Sequence, residues 1–535
     1  STPYPSDAAG AAASYDAAVL RVATAALGVS VSTDAHACRR LFLPVAQHGG
    51  GLRRQADSAL AEVWGAAWRV VPHLLDTLAP DGTVLMQGIL DRPAIAARVG
   101  RGAFEDMPTQ GWRQFFASGS RLGGELEATW SRMQTELAGW RQQPDGVEVR
   151  VLHLPAGSVA PAAPDAGRRP NLQADITGDR ERCRLAMLDA EHAAMHPSAR
   201  ARQLWFALGR ESGLFLSLLP RGLGAFSCAE WVEATARYFG LPSPACAPLA
   251  AAGARLPRSG AQRPVPVDAY GDSIAAAPGV AHDHFAKLRH DPVLAAVASL
   301  ARMAGAYVRL EDSDIFGSVL AGVPAAGRRA LGRRRVPTVD FVIALRSQLN
   351  LFELKTLAFC PTRYKPWADA RRCGAVELRA REVPRERLRE CVALDREVFA
   401  APEGHVGPMQ RRLHEFPPLQ AVVVGSFGEW SAGLAALLKT LSHMGADAWM
   451  ARMRAPTRGA AQASLERVMR HQLAACVVRG HAQLLLARAR MVRAGAAPRR
   501  AADQAAEAGA DACGGLDGVY RLHAGGGTRP AARGG

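Results

Sequence analysis

Two apolar runs, Val339–Leu345 and Leu349–Phe359, are separated only by the polar break Arg346-Ser347-Gln348. Runs of this length around so short a break read as a β-hairpin, and a hairpin dictates which side chains can meet. A turn centred between Arg346 and Ser347, without a bulge, pairs residues whose numbers add to 693. Asp340 then lies across from Glu353 on one face of the sheet, and Lys355, two residues further on, shares that face.

Two carboxylates placed opposite each other repel, so the pairing calls for a cation between them. A divalent cation, Mg²⁺, held by the hard oxygens of Asp340 and Glu353 on adjacent strands meets that need. A lysine beside it can orient a water and offset developing charge. Asp-x12-Glu-x-Lys on a hairpin resembles the active site of restriction-enzyme-like nucleases, the PD-(D/E)xK class. Lysine usage adds weight: of 65 lysines and arginines, only Lys287, Lys355, Lys365 and Lys439 are lysine. Where nearly every positive charge is an arginine, a lysine marks a position that wants a compact ammonium rather than a planar fork.

The 535 residues suffice for about two to four domains. A net charge of +16 predicts a polyanionic partner, with nucleic acid the usual one. The nine cysteines include no Cys-x-x-Cys pair, which predicts neither a disulfide framework nor a zinc finger and fits a reducing, intracellular compartment. No run of 18 apolar residues is present, so no membrane partner is expected.

Hydropathy patterning predicts an α+β chain, predominantly helical with a small mixed sheet. Residues 1–80 read as helical, and 81–240 as helical with a break at 155–170. A Pro/Ala-rich linker is expected at 241–266, an α/β core at 267–370, a helical region with one strand near 420–426 at 371–492, and a disordered tail at 493–535. Within the core, 292–305 reads as a helix and Ala306–Leu310 as a strand leading to Glu311.

Further motifs follow in a fixed order. Val267-Asp268-Ala269-Tyr270-Gly271-Asp272 precedes Arg289-His290, Glu311 and the hairpin. After the hairpin come Arg363-Tyr364-Lys365, Ala393–Phe399 and Val423–Ser431. This series is similar to the C-terminal half of LINE-like (non-LTR) retrotransposon polyproteins that carry a restriction-like endonuclease. Upstream, Phe42–Arg53 resembles the thumb region that follows their reverse transcriptase. The resemblance covers about residues 15–490 and is closest at 267–431.

The resemblance implies a restriction-endonuclease-like core that nicks target DNA in the nucleus, so that the freed 3′-hydroxyl primes reverse transcription. It implies DNA and retroelement RNA as partners. Asp340 and Glu353, with the Leu354 carbonyl, would ligate Mg²⁺ or Mn²⁺. Lys355 would act beside the metal, and Glu311 would be a further acid. Arg289, His290, Arg333, Arg334, Arg335, Arg363, Tyr364 and Lys365 would contact substrate.

The chain also departs from the family pattern. Pro337 precedes Asp340 by three residues instead of one, and the expected Gly-Asp-His is Gly271-Asp272-Ser273. With Cys246 the remaining ligand type, a zinc site is not expected. No Asp-Asp pair occurs anywhere, so the chain reads as a fragment lacking the polymerase palm, with the reverse transcriptase encoded elsewhere. The alternative reading is a catalytically decayed nucleic-acid-binding remnant. Elsewhere, His192 and His196 sit one helical turn apart and read as a polar helix face. Trp112, Trp130 and Trp140 read as core.

Overall fold

The computed structural model describes residues 5–27, 34–52, 172–217, 225–258, 262–278, 280, 284–312, 314–324, 327–328, 331, 337–345, 348–364 and 374–494. Several expectations fall outside these residues: the tryptophans at 112, 130 and 140, the break at 155–170, Arg333–Arg335, Lys365 and the tail. The chain divides into two compact units, one of residues 1–26 and 30–194, the other of 27–29 and 195–535.

The first unit contains α1 (Pro5–Leu27), α2 (Ala35–Leu41) and α3 (Leu172–Ala194). Asp34 caps α2 by accepting the Ala37 N–H at 2.8 Å, satisfying a donor the helix cannot. The chain then folds back tightly: a Cβ on Gly49 would fall 2.0 Å from the Leu43 carbonyl oxygen, so only glycine fits. Arg39 of α2 forks onto Glu191 of α3 at 2.5 and 2.6 Å. Because α3 ends at Ala194, His196 lies beyond it and bonds Ser198 Oγ at 2.6 Å. His192 is buried, its Nδ1 2.7 Å from the Leu188 carbonyl, so the two imidazoles share no helix face.

The second unit begins with α4 (Arg200–Ala207) and α5 (Cys228–Phe239). A capping box between Ser227 and Glu230 starts α5, and Gly240, at φ +78°, ends it. The stretch expected to be a linker, 241–266, instead contains α6 (Ala247–Ala251) and a two-strand ladder, β1 (Arg255–Leu256) with β2 (Val265–Pro266). Alanine and proline mimic a linker in composition. Here Ala245, Cys246 and Leu256 are buried against Leu485, Ala489 and Met491, which makes the stretch part of a core. Next come α7 (Asp272–Ala276) and a π-turn at Ala286–His290, which leads directly into α8 (Asp291–Met303).

The main sheet has four strands in sequence order: β3 (Val308–Asp312), β4 (Val339–Leu345), β5 (Gln348–Thr356) and β6 (Gln420–Val424). α9 (Gly317–Ala321) lies between β3 and β4, while α10 (Ala375–Phe399) and α11 (Pro408–His414) connect β5 to β6. The first three strands are antiparallel, and β6 joins β5 in parallel. Among the described residues, three helices follow β6: α12 (Ala432–Met444), α13 (Ala446–Met453) and α14 (Arg458–Ala494).

Alternation along the strands decides which face is apolar. Phe341, Ile343, Phe352, Leu354, Val422 and Val424 share one buried core with residues of α8, α12 and α14. Phe341 and Phe352 stack across β4 and β5 with ring centroids 5.0 Å apart and planes 1° from parallel. The architecture is therefore α+β with a small mixed sheet, as expected. The boundary expected at residue 370 is not: β6 completes the same sheet, so a cut there would split one core. A lone strand late in a helical stretch carries no sign of its partner, because parallel pairing requires a long crossover.

Candidate active site

The pairing of β4 with β5 follows the register read from the sequence: Phe341 faces Phe352, and Leu345 faces Gln348. Extending it by one residue puts Asp340 beside Glu353, on the face opposite the stacked phenylalanines. The regular ladder stops there because a side chain takes over: Asp340 Oδ2 accepts the Leu354 N–H at 2.7 Å. Lys355 Nζ lies 2.8 Å from Glu353 Oε2 and 3.6 Å from Asp340 Oδ2, so both carboxylates face one point. His290, at the end of the π-turn, brings Nε2 to 3.6 Å from Asp340 Oδ2, and its Nδ1 is 3.0 Å from Asp291 Oδ1.

Glu311 belongs to the same row. Its neighbours Leu310 and Asp312 pair with Phe341 and Val339, which places Glu311 opposite Asp340. It is exposed and has φ +48°, a conformation that costs a non-glycine residue about 1–2 kcal/mol. Strain at the strand end that borders the carboxylates is typical of functional sites.

The electrostatics are those of a partly buried charge cluster. Burial pushes the Asp340 carboxyl up, but His290, Lys355 and the Leu354 amide together hold it below the usual carboxylate range. Burial pushes His290 down, and Asp340 and Asp291 outweigh that and raise it above the usual histidine value. Glu353 is only 1% exposed, and a carboxylate so deep requires counter-charge. Lys355 supplies part of it. The rest comes from Arg387 of α10, whose Nη2 is in direct contact with Glu353 Oε1.

Arg387 is the site residue that sequence reasoning missed. Its signal was a misplaced charge: Val383, Cys391, Leu394 and Val398 form the buried stripe of α10, and Arg387 occupies a position on that stripe. In a helix dense with exposed arginines, that phase is easily overlooked.

Other expected substrate contacts turn inward. Arg289 is buried and donates to the Leu357 carbonyl at 2.8 Å. Tyr364 is fully buried, donating its hydroxyl to Glu429 Oε1 at 2.8 Å and accepting the Ser426 N–H at 2.9 Å. Arg289 ties the π-turn to the loop after β5, and Tyr364 braces that loop against the loop after β6. Asp272 serves the same network, bridging Arg200 at 2.5 Å and Arg237 at 2.8 Å. Arg363 is exposed in the turn at 361–364.

The residues can be asked whether they suit a metal. Asp340 and Glu353 offer two hard carboxylate donors. The Leu354 N–H points to β4, and in a strand the carbonyl of the same residue faces that same edge. Among the described residues no group of three or more His, Cys, Asp or Glu side chains is arranged as a metal cage. Two carboxylates and a carbonyl are a donor set that Mg²⁺ can use, since it commonly takes one or two carboxylates and completes its shell with water and phosphate. Cys246 is a poor zinc ligand in these surroundings. It is buried among apolar residues, which pushes its thiol up to about 12 and disfavours the thiolate.

No protein-family model matches the chain, and no curated protein is recognisably similar to it.

Proposed function

We propose that the second unit is a Mg²⁺- or Mn²⁺-dependent DNA endonuclease of restriction-like type, nicking target DNA within a retroelement's integration cycle. The observation that carries the reading is the convergence of Asp340 Oδ2 and Glu353 Oε2 on Lys355 Nζ at 3.6 and 2.8 Å, beside a strained Glu311. Asp340, Glu353 and the Leu354 carbonyl would hold the ion. When bound, the ion supplies Lewis-acid stabilisation and a more acidic water. Lys355 would orient the attacking water and offset charge on the phosphate oxygens. His290 favours the ionised form of Asp340 and would be a contact for the DNA backbone. The strongly basic chain provides the long-range attraction to DNA and to element RNA.

One observation favours a second reading, a nucleic-acid-binding remnant: each carboxylate already has cationic partners, His290 and Lys355 for Asp340, Lys355 and Arg387 for Glu353. A supercoiled-plasmid assay separates the two. Nicking that needs Mg²⁺, stops with EDTA and is lost in Asp340→Asn supports the endonuclease. DNA binding with no metal-dependent nicking supports the remnant.

A further inference from the structure

We propose that Arg387 is a positioning residue that holds Glu353 as a metal-ligating carboxylate, which makes α10 part of the active site; this rests on the endonuclease reading above. The guanidinium meets one carbonyl and two carboxylates at once. Nη2 donates to the Thr338 carbonyl at 2.9 Å and touches Glu353 Oε1, while Nη1 lies 2.9 Å from Glu390 Oε2. Thr338 enters β4 two residues before Asp340, and Glu353 is on β5. One side chain therefore ties together the two strands that carry the carboxylates, at the row where the backbone ladder stops. The Arg387 side chain is 12% exposed and the Glu353 side chain 1%, so the pair is shielded from competing water.

The two oxygens of Glu353 are divided between two cations. Oε1 is taken by Arg387, and Oε2 faces Lys355 and the point shared with Asp340. Lys355 must give up that contact whenever a metal and its water take the shared point. Arg387 need not move, because it holds the far oxygen and is anchored to the Thr338 carbonyl. It keeps the buried carboxylate charged and aimed in both states. A lysine could neutralise Glu353 but cannot span these acceptors with one planar fork.

The test uses the full chain and measures Mn²⁺ affinity by electron paramagnetic resonance, plasmid nicking, and thermal unfolding for wild type, Arg387→Ala, Arg387→Gln, Arg387→Lys and Asp340→Asn. Outer-shell partners of this kind change metal affinity by about 10–100-fold. Arg387→Gln, which keeps a donor for Thr338 but no charge, is expected to weaken Mn²⁺ binding by about tenfold or more. It should lower kcat for nicking while KM for DNA stays within about twofold. Arg387→Lys is expected to recover only part of the affinity. If Arg387→Ala does not fold, the Gln and Lys variants decide the matter. Folded Gln and Lys variants that bind Mn²⁺ as tightly as wild type overturn the assignment and leave Arg387 a purely structural residue. A wild-type chain that neither binds Mn²⁺ nor nicks overturns the endonuclease reading itself, and this inference with it.

Discussion

Asp340 accepts from the Leu354 amide and faces two cations, so removing its charge affects chemistry and fold to different degrees. Asp340→Asn keeps the shape and an oxygen for the amide but loses a metal ligand. Nicking is expected to fall by about a hundredfold or more, with DNA affinity in filter binding changed by less than about threefold, since almost all basic surface remains. Lys355→Arg should lose nicking as well, because a fork does not fit the space between two carboxylates that a single ammonium occupies. Wild-type nicking by either variant would remove these residues from the chemistry. Glu429 gives a prediction of a different kind. Burial pushes its carboxyl from 4.5 up to about 7, against the opposing pull of Tyr364 and the Phe427 amide. The folded chain then holds a proton that the unfolded chain has released, between pH 4.5 and about 7. Its contribution to stability is fully present below pH 4.5, declines across that window, and is gone above it, with a slope of about 1.4 kcal/mol per pH unit. Urea unfolding of wild type against Glu429→Gln should show the difference growing from pH 5 to pH 7. A difference independent of pH would mean Glu429 is ionised throughout.

The π-turn that brings His290 to Asp340 is pinned by α14, where Gly480 packs against its backbone. A Cβ at Gly480 would lie 2.5 Å from the Leu288 carbonyl oxygen, so Gly480→Ala must displace the turn two residues before His290. Overpacking of this sort costs about 1–3 kcal/mol. The variant should unfold at lower denaturant and nick more slowly, and unchanged values for both would show that the turn yields freely. Local elements of this kind were legible in the sequence to different depths. The hairpin register could be read from Asp340, Glu353 and the short polar break, because side-chain alternation and turn length leave one pairing that buries Phe341 with Phe352. The β6 partner and the role of Arg387 could not, since both depend on a crossover that brings together residues far apart in sequence. Arg289 and Tyr364 read as substrate contacts in the sequence, because an arginine or tyrosine in a motif looks the same whether it faces solvent or a buried carbonyl. Only packing distinguishes the two. Helix ends were harder to read than helical stretches: α3 stops at Ala194, short of His196, and the stretch 431–492 divides into α12, α13 and α14.

At the scale of the whole second unit, the sheet has no natural cut between the hairpin and the C-terminal helices. β5 is central, with β4 on one side and β6 on the other, and α14 packs against the sheet and against α6 and α7 of the same unit. A chain ending at residue 370 should therefore expose Leu354 and Phe352 on an unfilled face and aggregate, whereas residues 195–494 should give a cooperative melt. A stable, monomeric 267–370 fragment would contradict this. The parallel pairing of β5 with β6 also sets an order of events during synthesis. Leu345 and Gln348 pair with only two residues between them, while Phe352 meets Gln420 only after about 70 more residues have been made. On the ribosome, the hairpin with both acidic side chains emerges well before the strand and helix that fix them in place. The nascent chain thus passes through a long interval in which the acidic pair exists but is not aligned, so the cleavage proposed for it would be available only to a protein whose C-terminal third has been completed.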